Sequence, residues 1–274
     1  MSYKKILTIQ DISCLGQCSL TVALPIISAC GVECCVMPSA VLSTHTGGFT
    51  GFTFRDLTDD MPKIKDHWVK ENIKFDAIYT GYLGSTKQID YVKDIMSAVA
   101  GDGCVTVVDP AMADNGKLYT GFDMAFVNEM KKLCATADFI LPNMTEAAFL
   151  TDTPYSVNMD ADEIMEKLLS LGCKNVILKG VNPEDNTKMG ILMHINGEKY
   201  YYEHERLPNS CHGTGDVYAS AFVGALMRGK APQKAVEIAA SYVIECIKET
   251  AKEDNHWYGA KFETSLGKLI KSLE

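Results

Sequence analysis

His212-Gly213-Thr214-Gly215-Asp216 leads directly into the apolar stretch Val217-Tyr218-Ala219-Ser220-Ala221-Phe222-Val223, so a glycine-rich turn opens onto a helix. Glycines let the backbone approach a ligand closely and aim several N–H groups in one direction. The first N–H groups of the helix and the positive end of its dipole favour an anion at the same place. The stretch therefore predicts an anion site formed by Gly213, Thr214 and Gly215.

Asp216 places a carboxylate beside that predicted anion site. A carboxylate there suits phosphoryl transfer, because it can take the proton from the attacking hydroxyl while the backbone holds the moving phosphoryl group. A glycine turn followed by an N-cap aspartate is an equally simple interpretation of the same residues. The five residues alone do not decide between the two.

Composition limits the class of protein. The chain has 274 residues, of which 47% are hydrophobic and 22% charged, so it can bury a sizeable core. A formal net charge of −9 argues against a nucleic-acid partner. No apolar run is long enough for a signal peptide or a membrane span. We expect the ten cysteines, mostly within apolar runs, to be reduced thiols, and we predict a cytoplasmic protein without a membrane partner.

Short β-rich runs alternate with helical stretches along the chain. The predicted strands are Lys5–Gln10, Val32–Met37, Ala77–Thr80, Cys104–Val108, Phe139–Leu141 and Asn175–Lys179. The predicted helices are Leu20–Ala29, Gln88–Ala100, Met124–Leu133, Ala161–Leu171, Val217–Arg228 and Gln233–Lys248. This alternation predicts an α/β fold with one domain over residues 1–274 and a mostly parallel central sheet. Asn196-Gly197 predicts a late β-hairpin that interrupts the parallel layer.

Polar residues follow several predicted strands, at the edge where open α/β sheets bind ligands. Asp109 ends one strand and fits either a carboxylate that faces Mg²⁺ through water or a capped turn. Asn143 and Glu146 lie three residues apart at a helix start, which fits either a capping box or a contribution to magnesium binding. Spacing alone leaves both pairs of alternatives open.

A small-molecule pocket is predicted near the N-terminal strands. Asp11 ends the first strand, His45 lies in a Gly/Thr-rich segment, and Tyr82 supplies an aromatic wall. His45 equally fits a hydrogen-bonded structural residue, and Asp11 fits a cap of the next helix. The P-loop pattern is absent and no G-x-G-x-x-G follows the first strand, so neither common nucleotide motif is present.

Together these motifs resemble the ribokinase-like superfamily and, within it, the pyridoxal kinases. The resemblance rests on Ile9-Gln10, Ser43-Thr44-His45-Thr46-Gly47, Thr80-Gly81-Tyr82, Asp109-Pro110 with Asp114-Asn115-Gly116-Lys117-Leu118-Tyr119, Pro142-Asn143 with Glu146-Ala147, and Gly213-Thr214-Gly215-Asp216. It implies a three-layer α/β/α fold with helices on both faces of the sheet. It also implies ATP-dependent phosphorylation of the 5′-hydroxymethyl group of vitamin B6 forms, with Mg²⁺ and a monovalent cation such as K⁺, by a homodimer.

The resemblance also implies a role for each residue of the site. Asp216 would be the catalytic base, next to an anion hole formed by Gly213, Thr214 and Gly215. Magnesium would be organised by Asp109 and Glu146. Nucleotide contacts would come from Asp114, Tyr119, Asn143 and Lys179. Substrate contacts would come from Asp11, His45, Thr46 and Tyr82.

Asp11 departs from the family pattern, in which a serine facing the ring nitrogen commonly follows Ile-Gln. A carboxylate there favours a protonated pyridinium through a charge-assisted hydrogen bond. We therefore hypothesise that Asp11 shifts the preference among B6 forms toward pyridoxamine. Cys211 lies two residues before Gly213, near where a related group carries a reactive thiol, but we expect it to be non-catalytic because Asp216 is present.

Two alternative functions stay open. The first is a hydroxymethylpyrimidine kinase of the same fold, whose glycine motif commonly ends in cysteine where this chain has Asp216. The second is a B6-binding protein without turnover. The presence of Asp216 argues against the second, because binding alone needs no general base.

Overall fold

A computed structural model describes residues 3–182, 187–208 and 211–274. The strands are β1 Lys5–Ser13, β2 Glu33–Leu42, β3 Phe54–Asp56, β4 Phe75–Thr80, β5 Ala100–Val108, β6 Ala113–Asp114, β7 Lys117–Leu118, β8 Phe139–Ile140, β9 Asn175–Val181, β10 Lys188–Ile195 and β11 Glu198–Glu205. The helices are α1 Leu20–Ala29, α2 Met61–Lys70, α3 Thr86–Val99, α4 Met124–Thr136, α5 Met144–Leu150, α6 Ala161–Ser170, α7 Thr214–Met227, α8 Pro232–Thr250 and α9 Leu266–Ser272, with a 3₁₀ turn at Glu263–Ser265.

Nine strands of the described ranges form one sheet in the order β11-β10-β9-β8-β5-β4-β1-β2-β3. From β9 to β2 neighbouring strands run parallel, whereas β3 at one edge and the β10–β11 hairpin at the other are antiparallel. The predicted late hairpin around Asn196-Gly197 is confirmed, as β10 and β11. It does not lie within the parallel layer but pairs with the free edge of β9 and so extends the sheet.

Successive residues of the central strands point to opposite faces of the sheet. Ile6 packs into the core that α1, α7, α8 and α9 cover, and its neighbour Leu7 packs into the core under α2 to α6. Val107 and Val108 divide between the two cores in the same way. Both faces are therefore buried, which explains the continuous apolar runs and confirms the three-layer α/β/α fold.

Some elements carried no clear sequence signal. The edge strand β3 has three residues, all exposed, so it shows no apolar alternation. Of the residues in α2 only Met61 is buried. β6 and β7 form a ribbon of two residues each, held between two turns. None of the helices in the described ranges combines the length and apolar character that crossing a membrane requires.

The chain order of the sheet reverses at β1, because β2 lies on one side of it and β4 on the other. Ligands of doubly wound sheets bind at this switch point, outside the carboxyl ends of the strands. Five of the predicted site residues lie at these strand ends or just after them: Asp11, Tyr82, Asp109, Asn143 and Lys179. The fold thus brings the predicted site residues to one edge.

Candidate active site

The N-terminus of α7 begins at Gly213, whose backbone is left-handed with φ 76°. A Cβ at this position would lie 1.7 Å from the carbonyl oxygen of Gln17, so conformation and space both require glycine. Gly213 has no side chain to cap the helix, and no other side chain in the described ranges does so. The first N–H groups of α7 are therefore left for an anion, as the motif predicts.

Gly215 differs from Gly213 in its surroundings. A Cβ on Gly215 would meet no atom within 4 Å, and its backbone is not left-handed. The residue therefore borders open space directly beside the uncapped helix start. A phosphate group would fit into this space against the backbone N–H groups.

Asp216 lies in the first turn of the same helix and is half-buried. Its Oδ2 accepts a hydrogen bond of 2.9 Å from the Ser19 N–H, and within the described ranges its other oxygen accepts none. Burial raises the pKa of Asp216 to about 7, assisted by the charges of Asp109 and Asp11 and opposed by the Ser19 N–H and Lys179. A carboxyl group with this pKa can take a proton from an alcohol near neutral pH.

Two further carboxylates, Asp109 and Glu146, lie deep in the edge, with 4% and 2% of their surface exposed. Lys179 Nζ lies 3.3 Å from both oxygens of Asp109. Burial raises the pKa of Asp109, and Lys179 opposes the rise. Burial and then the charge of Asp109 hold the pKa of Glu146 well above its ordinary value. Lys179 thus contacts one of the two buried carboxylates, and its charge lowers the pKa of the other.

Asn143 and Glu146 form a complete capping box at the start of α5. Asn143 Oδ1 accepts from the Glu146 N–H at 2.9 Å, and Glu146 Oε2 accepts from the Asn143 N–H at 2.8 Å. The Asn143 side-chain amide also donates to the Ala113 carbonyl at 3.0 Å, and Glu146 Oε1 accepts from the Met112 N–H at 3.3 Å. The structural interpretation of this pair is confirmed. A contact of Asn143 with nucleotide stays a prediction.

Asp109 and Glu146 nevertheless fit a magnesium site of a particular kind. The described residues contain no group of three or more His, Cys, Asp or Glu side chains able to hold a metal alone. Mg²⁺ at phosphate-transfer sites commonly takes one or two carboxylates, keeps several waters and completes its shell with substrate phosphates. Burial and then the charge of Asp109 raise the pKa of Glu146, and a bound cation would offset both by stabilising the two carboxylates.

His45 is buried, and both of its ring nitrogens have partners. Nδ1 accepts from the Gly47 N–H at 3.0 Å, so Nε2 carries the proton and donates to the Tyr258 carbonyl at 2.7 Å. Burial lowers the pKa of His45, which keeps this neutral form. The hydrogen-bonded structural interpretation of His45 therefore holds, and any substrate contact would use the ring surface. Thr46, beside it, is exposed.

Asp11 and Tyr82 lie at the ends of the neighbouring strands β1 and β4. Asp11 is 4% exposed, and its Oδ2 accepts from the Ser13 hydroxyl at 3.1 Å. Burial raises the pKa of Asp11. Burial and then the charge of Asp11 raise the pKa of Tyr82, whose ring stacks on Phe122 with the centroids 5.4 Å apart. The pair provides one aromatic wall and one carboxyl group, as a small polar ring would require.

Asp114 and Tyr119 lie in and just after the β6–β7 ribbon. Asp114 is exposed and accepts hydrogen bonds from the backbone and side chain of Asn115. Tyr119 is 39% exposed, and partial burial followed by the charges of Glu146 and Asp114 raises its pKa. The ribbon therefore lies beside the acidic residues, where a flap over nucleotide phosphates would be needed.

Cys211 lies on the approach to the glycine turn and is half-buried. Burial raises the pKa of its thiol, with a side-chain hydrogen bond to Thr250 opposing the rise. A nucleophilic cysteine needs a lowered pKa, so this environment agrees with a non-catalytic Cys211.

Sequence reasoning missed Ser19 and did not link Lys179 to Asp109. Ser19 contacts the predicted base across 197 positions of sequence, and no local pattern marks it. Asp109 and Lys179 were predicted to act in different roles, on metal and on nucleotide. The structure pairs them because β5 and β9 both lie next to β8, and they end at the same edge.

The covered parallel sheet and the uncapped helix start beside Asp216 agree with the ribokinase-like fold that the sequence resembles. Comparison with known proteins gives the family: the phosphomethylpyrimidine kinase pattern matches residues 23–260, and the chain belongs to this family. The predicted resemblance to the pyridoxal kinases and the predicted kinase class are also confirmed.

Three relatives illustrate the similarity. A Bacteroides thetaiotaomicron protein assigned as a phosphomethylpyrimidine kinase, crystallised with pyridoxal, is 38% identical with a TM-score of 0.91, over 98% of this chain and 96% of that one. The pyridoxal kinase of Lactobacillus plantarum is 30% identical with a TM-score of 0.90, over 98% of both chains. The pyridoxal kinase of Dictyostelium discoideum is 27% identical over 263 residues, 90% of this chain and 86% of the relative.

Proposed function

We propose that this protein transfers the terminal phosphoryl group of ATP to the 5′-hydroxymethyl group of vitamin B6 forms. The observation that carries the proposal is Asp216, which keeps one carboxylate oxygen free next to the uncapped start of α7. The pyridoxal bound to the Bacteroides relative and the names of the other two relatives support the choice of substrate.

In the proposed reaction Asp216 takes the proton of the substrate hydroxyl. The alcohol oxygen forms a bond to the γ-phosphorus while the bond from that phosphorus to the bridging oxygen of ADP breaks. The backbone N–H groups of Thr214 and Gly215 stabilise the charge on the transferred group. Asp109 and Glu146 would hold Mg²⁺ through water, and the bound ion would supply charge neutralisation at the phosphates.

The remaining assignments belong to the same proposal. Nucleotide contacts are proposed for Asp114, Tyr119, Asn143 and Lys179, and substrate contacts for Asp11, His45, Thr46 and Tyr82. We also propose a monovalent cation such as K⁺ as a second cofactor, a single domain over residues 1–274, and a homodimer. A cytoplasmic location is proposed because all ten cysteines are free thiols, as a reducing compartment would keep them.

A substrate panel with ATP and Mg²⁺ tests the function. Pyridoxal, pyridoxine, pyridoxamine and hydroxymethylpyrimidine are supplied separately, and ADP and phosphorylated product are measured together. We expect stoichiometric ADP and pyridoxal 5′-phosphate from pyridoxal. Phosphorylation of hydroxymethylpyrimidine alone would instead establish the second candidate, which the name of the family favours. Binding of B6 forms with no ADP above background would contradict both kinase functions.

Asp11 is the residue that we propose to set the preference among B6 forms. Its carboxyl group is buried, and its charge acts on Tyr82, so a cationic ring bound beside the two would pair with it. We expect Asp11→Ser to lower kcat/KM for pyridoxamine relative to pyridoxal by a few-fold, as loss of one charge-assisted hydrogen bond would do. An unchanged ranking of the three substrates in Asp11→Ser would contradict this role.

A further inference from the structure

Gly47 lies in the loop after β2, two residues beyond His45, and its backbone is not left-handed. A Cβ at this position would lie 2.8 Å from Nδ1 and 3.0 Å from Cε1 of His212. The three atoms nearest to that Cβ all belong to the His212 ring. Gly47 is therefore required by the close approach of this imidazole and not by its own backbone conformation.

His212 directly precedes Gly213, the N-cap of α7, and its side chain is exposed. Its ring also lies beside the ring of His45, with the centroids 5.4 Å apart. The imidazole thus joins two parts of the site. One is the glycine turn, which the proposed function gives to the phosphoryl group, and the other is the substrate loop, residues 45–47.

Hydrogen bonds fix the chain on both sides of this contact. In the substrate loop, the Gly47 N–H donates to His45 Nδ1 at 3.0 Å, and His45 Nε2 donates to the Tyr258 carbonyl at 2.7 Å. At the glycine turn, the Ala260 N–H donates to the His212 carbonyl at 3.1 Å. Residues 258–260 therefore hold both the loop and the turn, and the His212 ring lies where the two meet.

The separation of the loop from the turn matters for the proposed reaction. The acceptor alcohol must come within about 3–3.5 Å of the phosphorus, and a misplacement of about 1 Å can lower the rate about 10²-fold. The loop offers the exposed Thr46 to the acceptor, whereas the turn holds the phosphoryl group. A residue that fixes their separation therefore acts on the rate of transfer.

We propose that His212 is a positioning residue, whose ring packs on Gly47 and sets the separation of the substrate loop from the glycine turn. The proposal rests on the proposed function, because that function places the acceptor at the loop and the phosphoryl group at the turn. The role belongs to the ring as a packing group and needs neither of its nitrogen atoms.

The test is a double-mutant cycle of His212→Ala and Gly47→Ala, with kcat for the phosphorylation of pyridoxal as the readout. Each single variant should lower kcat about tenfold, because deleting the ring and pushing it away from Gly47 both release the loop. Adding Gly47→Ala to His212→Ala should cost nothing further, since the atoms closest to the new methyl group all belong to the deleted ring.

A split between KM and kcat separates this role from a loss of stability. In His212→Ala we expect kcat to fall while KM for ATP and KM for pyridoxal change little, as for an interaction used in the transition state. The melting temperature should stay at its wild-type value, because the side chain is exposed. A merely destabilised variant would lower the melting temperature as well.

His212→Phe supplies the rescue, because it keeps a ring over Gly47 without the nitrogen atoms. It should keep kcat within a few-fold of wild type. Gly267→Ala is the matched control, since a Cβ on this glycine of α9 would meet no atom within 4 Å, and it should leave kcat unchanged. The two variants of the exposed His212 carry the test where Gly47→Ala does not fold.

Three results would overturn the proposal: wild-type kcat in His212→Ala, additive losses in the double variant, or a loss in His212→Phe as large as in His212→Ala. The last would assign the effect to the nitrogen atoms. An active wild type with unaffected variants refutes the role of His212 alone. A wild type that phosphorylates neither a B6 form nor hydroxymethylpyrimidine refutes the proposed function, and the role of His212 with it.

Discussion

Glu146 and Asp216 occupy the same position in two helices, three residues after the N-cap of α5 and of α7. In α5 the N-cap is Asn143, and the reciprocal bonds of the capping box occupy the Asn143 side chain and Glu146 Oε2. In α7 the N-cap is Gly213, which has no side chain to offer. Asp216 turns toward Ser19 instead and keeps one oxygen free.

The difference shows that the N–H groups at a helix start can serve either the stability of the fold or the binding of a ligand. A capped start satisfies its own N–H groups and contributes to folding, whereas an uncapped start leaves them for a ligand. Burial raises the pKa of both acids, but Glu146 is enclosed whereas Asp216 is accessible enough to exchange a proton with a substrate. Glu146 can act on the reaction only through water or metal.

The largest expected effect is that of Asp216→Asn. The amide cannot accept the substrate proton, so we expect kcat to fall by about 10²–10⁴-fold with little change in KM for ATP. Steady-state kinetics measure this, with Asp162→Asn in the first turn of α6 as the control. Turnover within a few-fold of wild type would remove Asp216 from the mechanism.

Alanine substitutions at the two glycines of the motif should have different effects, one on folding and the other on ATP binding. Gly213→Ala places a methyl group against the Gln17 carbonyl and should lower the melting temperature severely. The methyl group added by Gly215→Ala contacts no other atom of the protein, so the variant should keep the melting temperature of wild type. It should nevertheless weaken ATP binding about tenfold or more by calorimetry, if the phosphate occupies that space. Full ATP affinity in Gly215→Ala would place the anion elsewhere.

Glu146→Gln should affect stability and metal dependence at once. The amide can accept only one of the two backbone hydrogen bonds, so we expect the free energy of unfolding to fall by about 1 kcal/mol. The Mg²⁺ concentration for half-maximal activity should rise several-fold. Asp109→Asn leaves the capping box intact and should also raise the Mg²⁺ requirement, but its cost in stability comes from the lost charge opposite Lys179. Equal Mg²⁺ titrations in all three proteins would contradict the metal role.

A smaller effect is expected in the dependence of the free energy of unfolding on pH. The pKa of Asp216 rises from an ordinary 3.8 to about 7 on folding, so the folded protein binds the proton more tightly. The stabilisation is complete below the unfolded pKa and is lost as pH rises through about 7. Urea unfolding should therefore show the stability of Asp216→Asn rising relative to that of wild type from about pH 4 to about pH 7, and a constant difference above that. A pH-independent difference would mean that this carboxyl group is not perturbed.

Much of the fold was predictable from the sequence, because apolar runs covered on both faces mark parallel strands directly. The central strands and the long helices lie where the pattern placed them. β3 and α2 were missed because they bury almost nothing, so no periodicity reports them. The hairpin was found at Asn196-Gly197, but its place at the sheet edge was not predictable, because this turn specifies local pairing and not which strand the ribbon joins.

The site was predictable only where residues are adjacent in sequence. The glycine motif and the Asn143–Glu146 pair are local and were found. The contacts of Ser19 with Asp216 and of Lys179 with Asp109 join distant strands and helices, so only the folded sheet reveals them. The sequence left His45 open between a structural residue and a substrate contact; its hydrogen bonds to Gly47 and Tyr258 show the structural role but depend on a loop that no pattern places.

The pH dependence of kcat/KM for pyridoxal in the wild-type protein tests the central claim most directly. If Asp216 is the base, activity should rise about tenfold per pH unit below its pKa of about 7 and level off above it. A profile without a break near neutral pH, or with one only at the ordinary aspartate pKa of 3.8, would contradict it.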